Sequence, residues 1–336
     1  MRYLLASICL SFFLINGCKP TDPSNTTSTT GSTTGSTTGN NPVKPTPVNV
    51  EYNKDSAYFY VEKQVSFGPR VPGTVSHGKC AKYLANTLGR FTDTLILQED
   101  DMRSINGQVI PIKNIIGSFN PEASKRVLLA AHYDTRPQAD EDKVDPTTPS
   151  DGANDGASGV GILLEVARQL STMNTSYGID IIFFDAEDLG DRRGRPESWC
   201  LGSQYWGGNL HKPGYHANEG ILLDMVGGKD AAFAFEVNSL AFNQPLVIEI
   251  WRLGQKLGYG KYFLNIDGNH VVDDHMFVQR LTGIPMIDII EYSFDTQSFG
   301  EYWHTHDDNM EVISRETLNA VGHTLLHWTA LRDSKG

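Results

Sequence analysis

Val127-Leu128-Leu129-Ala130-Ala131-His132-Tyr133-Asp134 is a run of five apolar residues that ends in imidazole, phenol and carboxylate. A strand so continuously apolar is expected to be covered on both faces, as in sheets packed between two layers of helices. Ile181-Ile182-Phe183-Phe184 repeats the pattern and runs into Asp185-Ala186-Glu187-Asp188, and a third strand, Ile221 to Met225, closes on Asp224. In such sheets the functional side chains collect just beyond the carboxyl ends of the strands. Three strands with chemically active exits therefore predict an α/β fold with a single cleft along one edge of the sheet.

Outward from these strands the α/β rhythm continues. The spacing predicts helices over 52–65, 76–88 and 159–173, and near 241–258 and 314–330. Strands are expected at 94–98 and 110–119, with Asn106-Gly107 turning between them, and at 285–290. Residues 50–336 read as one large domain, and 39% hydrophobic residues suffice for its core. Forty acidic against 28 basic side chains give a formal charge of −12, which argues against a phosphate backbone as partner. Arg192, Arg193 and Arg195 are the longest basic cluster.

The first residues set the expected address. Arg2 followed by the apolar stretch Leu4 to Ile15 is too short to span a bilayer and suits an export signal over residues 1–17. Leu14-Ile15-Asn16-Gly17-Cys18 resembles the lipobox of bacterial lipoproteins, which implies a lipidated Cys18 and a protein anchored in a bacterial cell envelope, on the periplasmic side or at the outer membrane. An ordinary secretory signal with an incidental cysteine is the other reading. Residues 18–49, rich in Ser, Thr, Gly and Pro, read as a disordered tether. Of the remaining cysteines, Cys80 and Cys200 could form a disulfide in an exported protein or remain unpaired in the core.

Five residues have the chemistry of transition-metal ligands: His132, Asp155, Asp188, Asp224 and His304. Asp155 lies in the turn Gly152-Ala153-Asn154-Asp155-Gly156, and Glu187 stands beside Asp188, so one carboxylate can hold a metal while its neighbour moves protons. Residues 138–151 read as a polar surface loop at the entrance. Trp199 and Trp206 are candidates either for the pocket or for the core.

Phe67-Gly68-Pro69-Arg70-Val71-Pro72-Gly73, His132-Tyr133-Asp134, the Asp155 turn, Phe183 to Asp188 and Leu222-Leu223-Asp224-Met225 together resemble the zinc aminopeptidase superfamily. That resemblance implies a mixed central β-sheet with helices on both faces. Asp273-Asp274-His275 with Phe277, and Tyr302-Trp303-His304-Thr305 with Asp307-Asp308-Asn309, resemble the animal-type glutaminyl-peptide cyclotransferases and their bacterial relatives. The second resemblance implies one zinc per chain, held by Asp155, Asp188 and His304, and substrates with an N-terminal glutamine. It makes Glu187 the proton-transfer residue, Asp274 the carboxylate bonded to the reacting amide and Trp303 a wall of the glutamine pocket, with Asp224 in an acidic hydrogen-bond network. Asp188 stands where the animal enzymes often have glutamate, so its shorter side chain implies a small shift of zinc or backbone. The competing reading is a two-zinc aminopeptidase in which His132 and Asp224 join the ligands and Glu187 activates water.

Overall fold

The computed structural model describes residues 50–192 and 194–333; the segments read as signal, lipidated Cys18 and tether, together with Arg193, lie outside the described residues. β1 (Thr94–Arg103) and β2 (Val109–Phe119) form a hairpin that leads into β4 (Gly178–Phe184), β3 (Arg126–His132), β5 (Glu219–Asp224) and β8 (Met286–Ile290). The sheet order is β1-β2-β4-β3-β5-β8. The first two pairings are antiparallel and the other three parallel, so the sheet is mixed.

Alternation along each strand feeds two separate cores. Val127, Leu129, Ala131, Ile181, Phe183, Ile221 and Leu223 point into the larger one, under α1 (Lys54–Val65), α2 (Val75–Leu88), α3 (Ala157–Leu170), α5 (Val237–Lys256) and α7 (Arg315–Asp333). Leu128, Ala130, Ile182, Phe184 and Leu222 point the other way, where α4 (Leu201–Gly208) brings Trp206 and α6 (Asp274–Thr282) brings Val278. Every residue of β3 and β4 is buried. The two-sided apolar reading therefore holds, and each such Leu, Ile or Phe contributes about 1.5–3 kcal/mol on burial.

Trp206 is fully buried, donates to His211 and belongs to this second core rather than to a pocket. Cys80 and Cys200 are both buried and unpaired. Not anticipated were α4, α6 and a two-stranded parallel sheet of β6 (Phe233–Phe235) and β7 (Phe263–Asp267). Eight residues carrying three glycines, and a strand of three, are too short to display a period. Among the described residues no helix is long and apolar enough to cross a membrane.

Candidate active site

β4, β3 and β5 are neighbours and run parallel, so their exits bring Glu187, Asp188, His132 and Asp224 to one edge. The turn before α3 adds Asp155, and the segment between β8 and α7 adds His304. A Cβ at Gly156 would come within 2.5 Å of the His132 ring, so only glycine lets this turn close on the imidazole.

Ligand-type atoms of His132, Asp155 and Asp224 lie within 4.8 Å of one another, and so do those of Asp155, Asp188 and His304. Asp155 is common to both groups. In the first, His132 Nε2 hydrogen-bonds Asp224 Oδ1 at 3.1 Å and lies 3.0 Å from Asp155 Oδ1. The second is looser. His304 Nε2 lies 3.2 Å from Asp188 Oδ1 and 3.7 Å from Asp155 Oδ2, and the buried Asp188 Oδ1 has no hydrogen-bond partner. An orphaned carboxylate oxygen facing a second carboxylate and an imidazole is a donor set suited to zinc, and it explains why the oxygen is left unpaired.

Residues quoted above without a role prove to build this arrangement. Asp134 accepts the backbone N–H of Glu187 at 3.0 Å and of Asp188 at 3.1 Å, which fixes the acidic pair at the β4 exit. Asp308 does the same for the other turn, accepting from Asn154 N at 2.7 Å and Asp155 N at 3.1 Å. The buried Arg70 guanidinium donates to the carbonyls of Tyr133, Asp151 and Gly152, tying the Phe67–Gly73 turn to both. Ala186, Met225 and His304 have φ of 52°, 47° and 55°, a left-handed backbone that costs about 1 kcal/mol or more at each non-glycine residue. All three adjoin or belong to the metal-capable groups.

A cavity of about 290 Å³ opens on these groups, lined by Glu187, Asp188, Trp199, Asp273, Phe299 and Trp303 among others. The Trp303 ring stacks on His304 with centroids 3.7 Å apart, and Phe299 packs on Trp303 at 5.0 Å. Trp199, ambiguous in the sequence, is thus a pocket residue.

Of the Asp273-Asp274 pair, the cavity is lined by the first. Asp274 is not among the residues lining the cavity: it is the first residue of α6, fully buried near Ser203 of α4, with neither carboxylate oxygen hydrogen-bonded. Asp273 faces the cavity instead. It is the N-cap of α6, with extended φ/ψ of −150° and 173°, and one oxygen accepts from Asp274 N at 2.5 Å. Its other oxygen has no partner, and the carboxyl lies in one cluster with Glu187 and Cys200. The preference of aspartate for the N-cap was the available signal: in Asp-Asp-His the first Asp caps and the second enters the helix.

Glu187 stands outside the two groups that share Asp155 and forms another metal-capable group with Cys200 and Asp273; its Oε1 accepts from the Cys200 thiol at 3.2 Å. Burial drives the Glu187 carboxyl well above the ordinary carboxylate range; His132 opposes this, while Asp273, Asp188 and Asp274 add to it. Asp273 is raised to about 7, first by burial and then by Asp224. Burial would lower both imidazoles, but carboxylates reverse it: His132 is held well above its usual range by Asp134, Asp155 and Asp224, and His304 is raised to about 9 by Asp188 and Asp140. Metal binding requires neutral imidazoles, so a cation here takes over the charge that these protons otherwise supply.

Residues 114–329 match the description of peptidase family M28. The chain belongs to that family. Among solved structures, Tannerella forsythia glutaminyl cyclase is 51% identical, with TM-score 0.80, over 82% of this M28 chain and 97% of that one. A Zn-dependent exopeptidase from Parabacteroides distasonis is also 51% identical, with TM-score 0.81, over 83% of this chain and 98% of that one. Aminopeptidase YwaD of Bacillus subtilis is 31% identical over 216 residues, 62% of this chain and only 42% of its own length. The fold is that of the zinc aminopeptidases and bacterial glutaminyl cyclases, and the site holds a buried His/Asp cluster able to chelate a metal.

Proposed function

We propose that the protein is a glutaminyl-peptide cyclotransferase, converting N-terminal glutamine to pyroglutamate with release of ammonia. The observation that carries this reading is the asymmetry of the two metal-capable groups that share Asp155. Asp155, Asp188 and His304 leave a buried carboxylate oxygen without a hydrogen bond and an N–O spacing of 3.7 Å, whereas His132 Nε2 already hydrogen-bonds Asp224 at 3.1 Å and lies 3.0 Å from Asp155. The structural likeness to bacterial glutaminyl cyclases over almost their whole length supports it.

In this reading Asp155, Asp188 and His304 hold one zinc, which when bound supplies Lewis acidity toward the glutamine side-chain carbonyl. Trp303 and Phe299 wall a cavity at the small end of the roughly 300–1,000 Å³ usual for ligand sites, with room for a terminal residue rather than an extended chain. Glu187 takes a proton from the substrate α-ammonium, so that the amine can attack the side-chain carbonyl carbon. That first proton passes on to solvent; as the new C–N bond closes the five-membered lactam, Glu187 takes a second proton from the attacking nitrogen and hands it to the amide nitrogen, whose bond to carbon breaks as ammonia leaves. Asp273, beside Glu187, accepts hydrogen bonds from the reacting amide in place of Asp274, and Asp224 orients His132.

The second reading, a two-zinc aminopeptidase, is favoured by one observation: His132, Asp155 and Asp224 also converge, and Asp155 is placed to bridge. Metal content measured together with product mass separates the two. One zinc and loss of ammonia from an otherwise intact glutamine peptide is expected; two metals and release of whole residues refute the cyclase. The lipobox resemblance supports an exported, lipid-anchored protein acting on peptides or proteins of the cell envelope.

A further inference from the structure

The polar loop that follows β3 reaches two of the proposed zinc ligands from behind. His304 Nδ1, the ring nitrogen turned away from Asp188 and Asp155, lies 3.1 Å from Asp140 Oδ1. Asp140 is gripped in turn by the Arg136 guanidinium, Nε to Oδ1 at 3.2 Å and Nη2 to Oδ2 at 2.8 Å. The same guanidinium donates through Nη1 to the carbonyls of Asp188 at 3.0 Å and Gly190 at 2.9 Å. It lies over the Trp199 ring at 4.7 Å, and Trp199 stacks on His304 at 6.1 Å. A Cβ at Gly190 would fall 1.7 Å from the Trp199 ring, so the stack depends on glycine there. Finally, Glu141 N–H donates to the His304 carbonyl at 3.1 Å, anchoring the residue in its left-handed conformation.

We propose that Arg136 and Asp140 are a positioning pair that fixes Asp188 and His304 in one geometry, with Asp140 setting zinc affinity through His304 Nδ1. The inference rests on the reading that Asp155, Asp188 and His304 hold zinc. A histidine ligand presents one nitrogen to the metal only while the other carries its proton, and an acceptor on that proton fixes both tautomer and ring rotation. Asp140, with a side chain about one-fifth exposed, would rotate freely without a partner; the planar guanidinium fork removes that freedom. Because the same fork holds the Asp188 carbonyl, one side chain couples ligands that are far apart in sequence.

Asp142 supplies the control. It fastens the same loop to His306, accepting from its backbone N at 3.0 Å and from Nδ1 at 2.9 Å, and touches neither His304 nor Asp188. Zinc affinity of the full-length protein is measured by chelator competition, without peptide, for wild type, Asp140→Ala, Asp140→Asn and Asp142→Asn. Asp140→Ala is expected to bind zinc roughly 10–100-fold more weakly, the usual effect of removing an outer-shell partner. Asp140→Asn, whose amide oxygen can still accept from Nδ1–H, should fall between it and wild type. Asp142→Asn should stay within about twofold of wild type, and the cobalt-substituted absorption spectrum should shift only in the Asp140 variants. Wild-type affinity in a folded Asp140→Ala, or an equal loss in Asp142→Asn, overturns the proposal. Should Asp140→Ala not fold, wild-type affinity in Asp140→Asn overturns it. A wild type that takes up no zinc overturns the zinc reading and this one together.

Discussion

Replacing Glu187 by glutamine removes a proton acceptor and leaves the proposed ligands Asp155, Asp188 and His304 in place. Glu187 stands outside the two groups that share Asp155, so zinc content should be unchanged. Glutamine has the same shape, and its carbonyl oxygen can still accept from the Cys200 thiol, which sits 3.2 Å from Oε1. The side chain is buried, and burial lifts its proton affinity well above that of an exposed carboxylate, toward that of the amine it must deprotonate. Loss of positioned proton transfer alone costs roughly 10²–10⁴ in rate, equivalent to about 3–5 kcal/mol of transition-state stabilisation. The assay follows ammonia release and product mass on a glutamine-initiated peptide, with metal content measured on the same preparation. Retention of wild-type turnover by a fully zinc-loaded Glu187→Gln would refute the assigned role. A variant that lost its zinc would instead show that Glu187 acts on the metal, against the geometry.

Three further outcomes are expected. Asp273→Asn should lower kcat/KM by roughly tenfold or more, while Asp274→Asn, away from the cavity, should change it far less; the reverse order would restore the assignment read from the sequence. Glu291, buried and bonded to Asn154 and Tyr302, is raised by burial from 4.5 to about 7, so the folded state holds its proton more tightly than the unfolded chain. Stability relative to Glu291→Gln is therefore greatest in acid and falls as pH rises from about 4.5 to about 7, by at most about 3 kcal/mol; urea unfolding of both proteins across that window tests it, and a parallel pH dependence would contradict it. Cys18→Ser should move the protein from the membrane to the soluble fraction with cyclisation unchanged, and a soluble wild type would end the lipid-anchor reading.

Much of the fold was legible because its signals are local. The apolar runs at Val127–Ala131 and Ile181–Phe184 needed no partner to be read as two-sided strands, and both lie at the centre of the sheet. His132, Asp155, Asp188, Asp224 and His304 were identifiable because each follows a strand or sits in a tight turn, and the structure brings all five together. Nothing within the 138–151 loop reveals that Asp140 meets a histidine 164 positions away, so its sequence shows only a polar surface loop. The sequence around Cys200 is equally compatible with a disulfide, and only the fold sets its thiol against Glu187.

The sequence by itself determined the layers, the strand exits and the chemical types available at the cleft, since side-chain period and composition depend only on neighbours along the chain. The tertiary structure alone decided which of two adjacent groups faces inward and what holds it there. Asp273 turns to the cavity and Asp274 to α4 because the N-cap is extended and the next residue is helical, and because α4 packs against α6. Asp134, Asp308 and Arg136 act on backbone groups far away in sequence, and such contacts come into being only when the sheet brings its exits to a common edge.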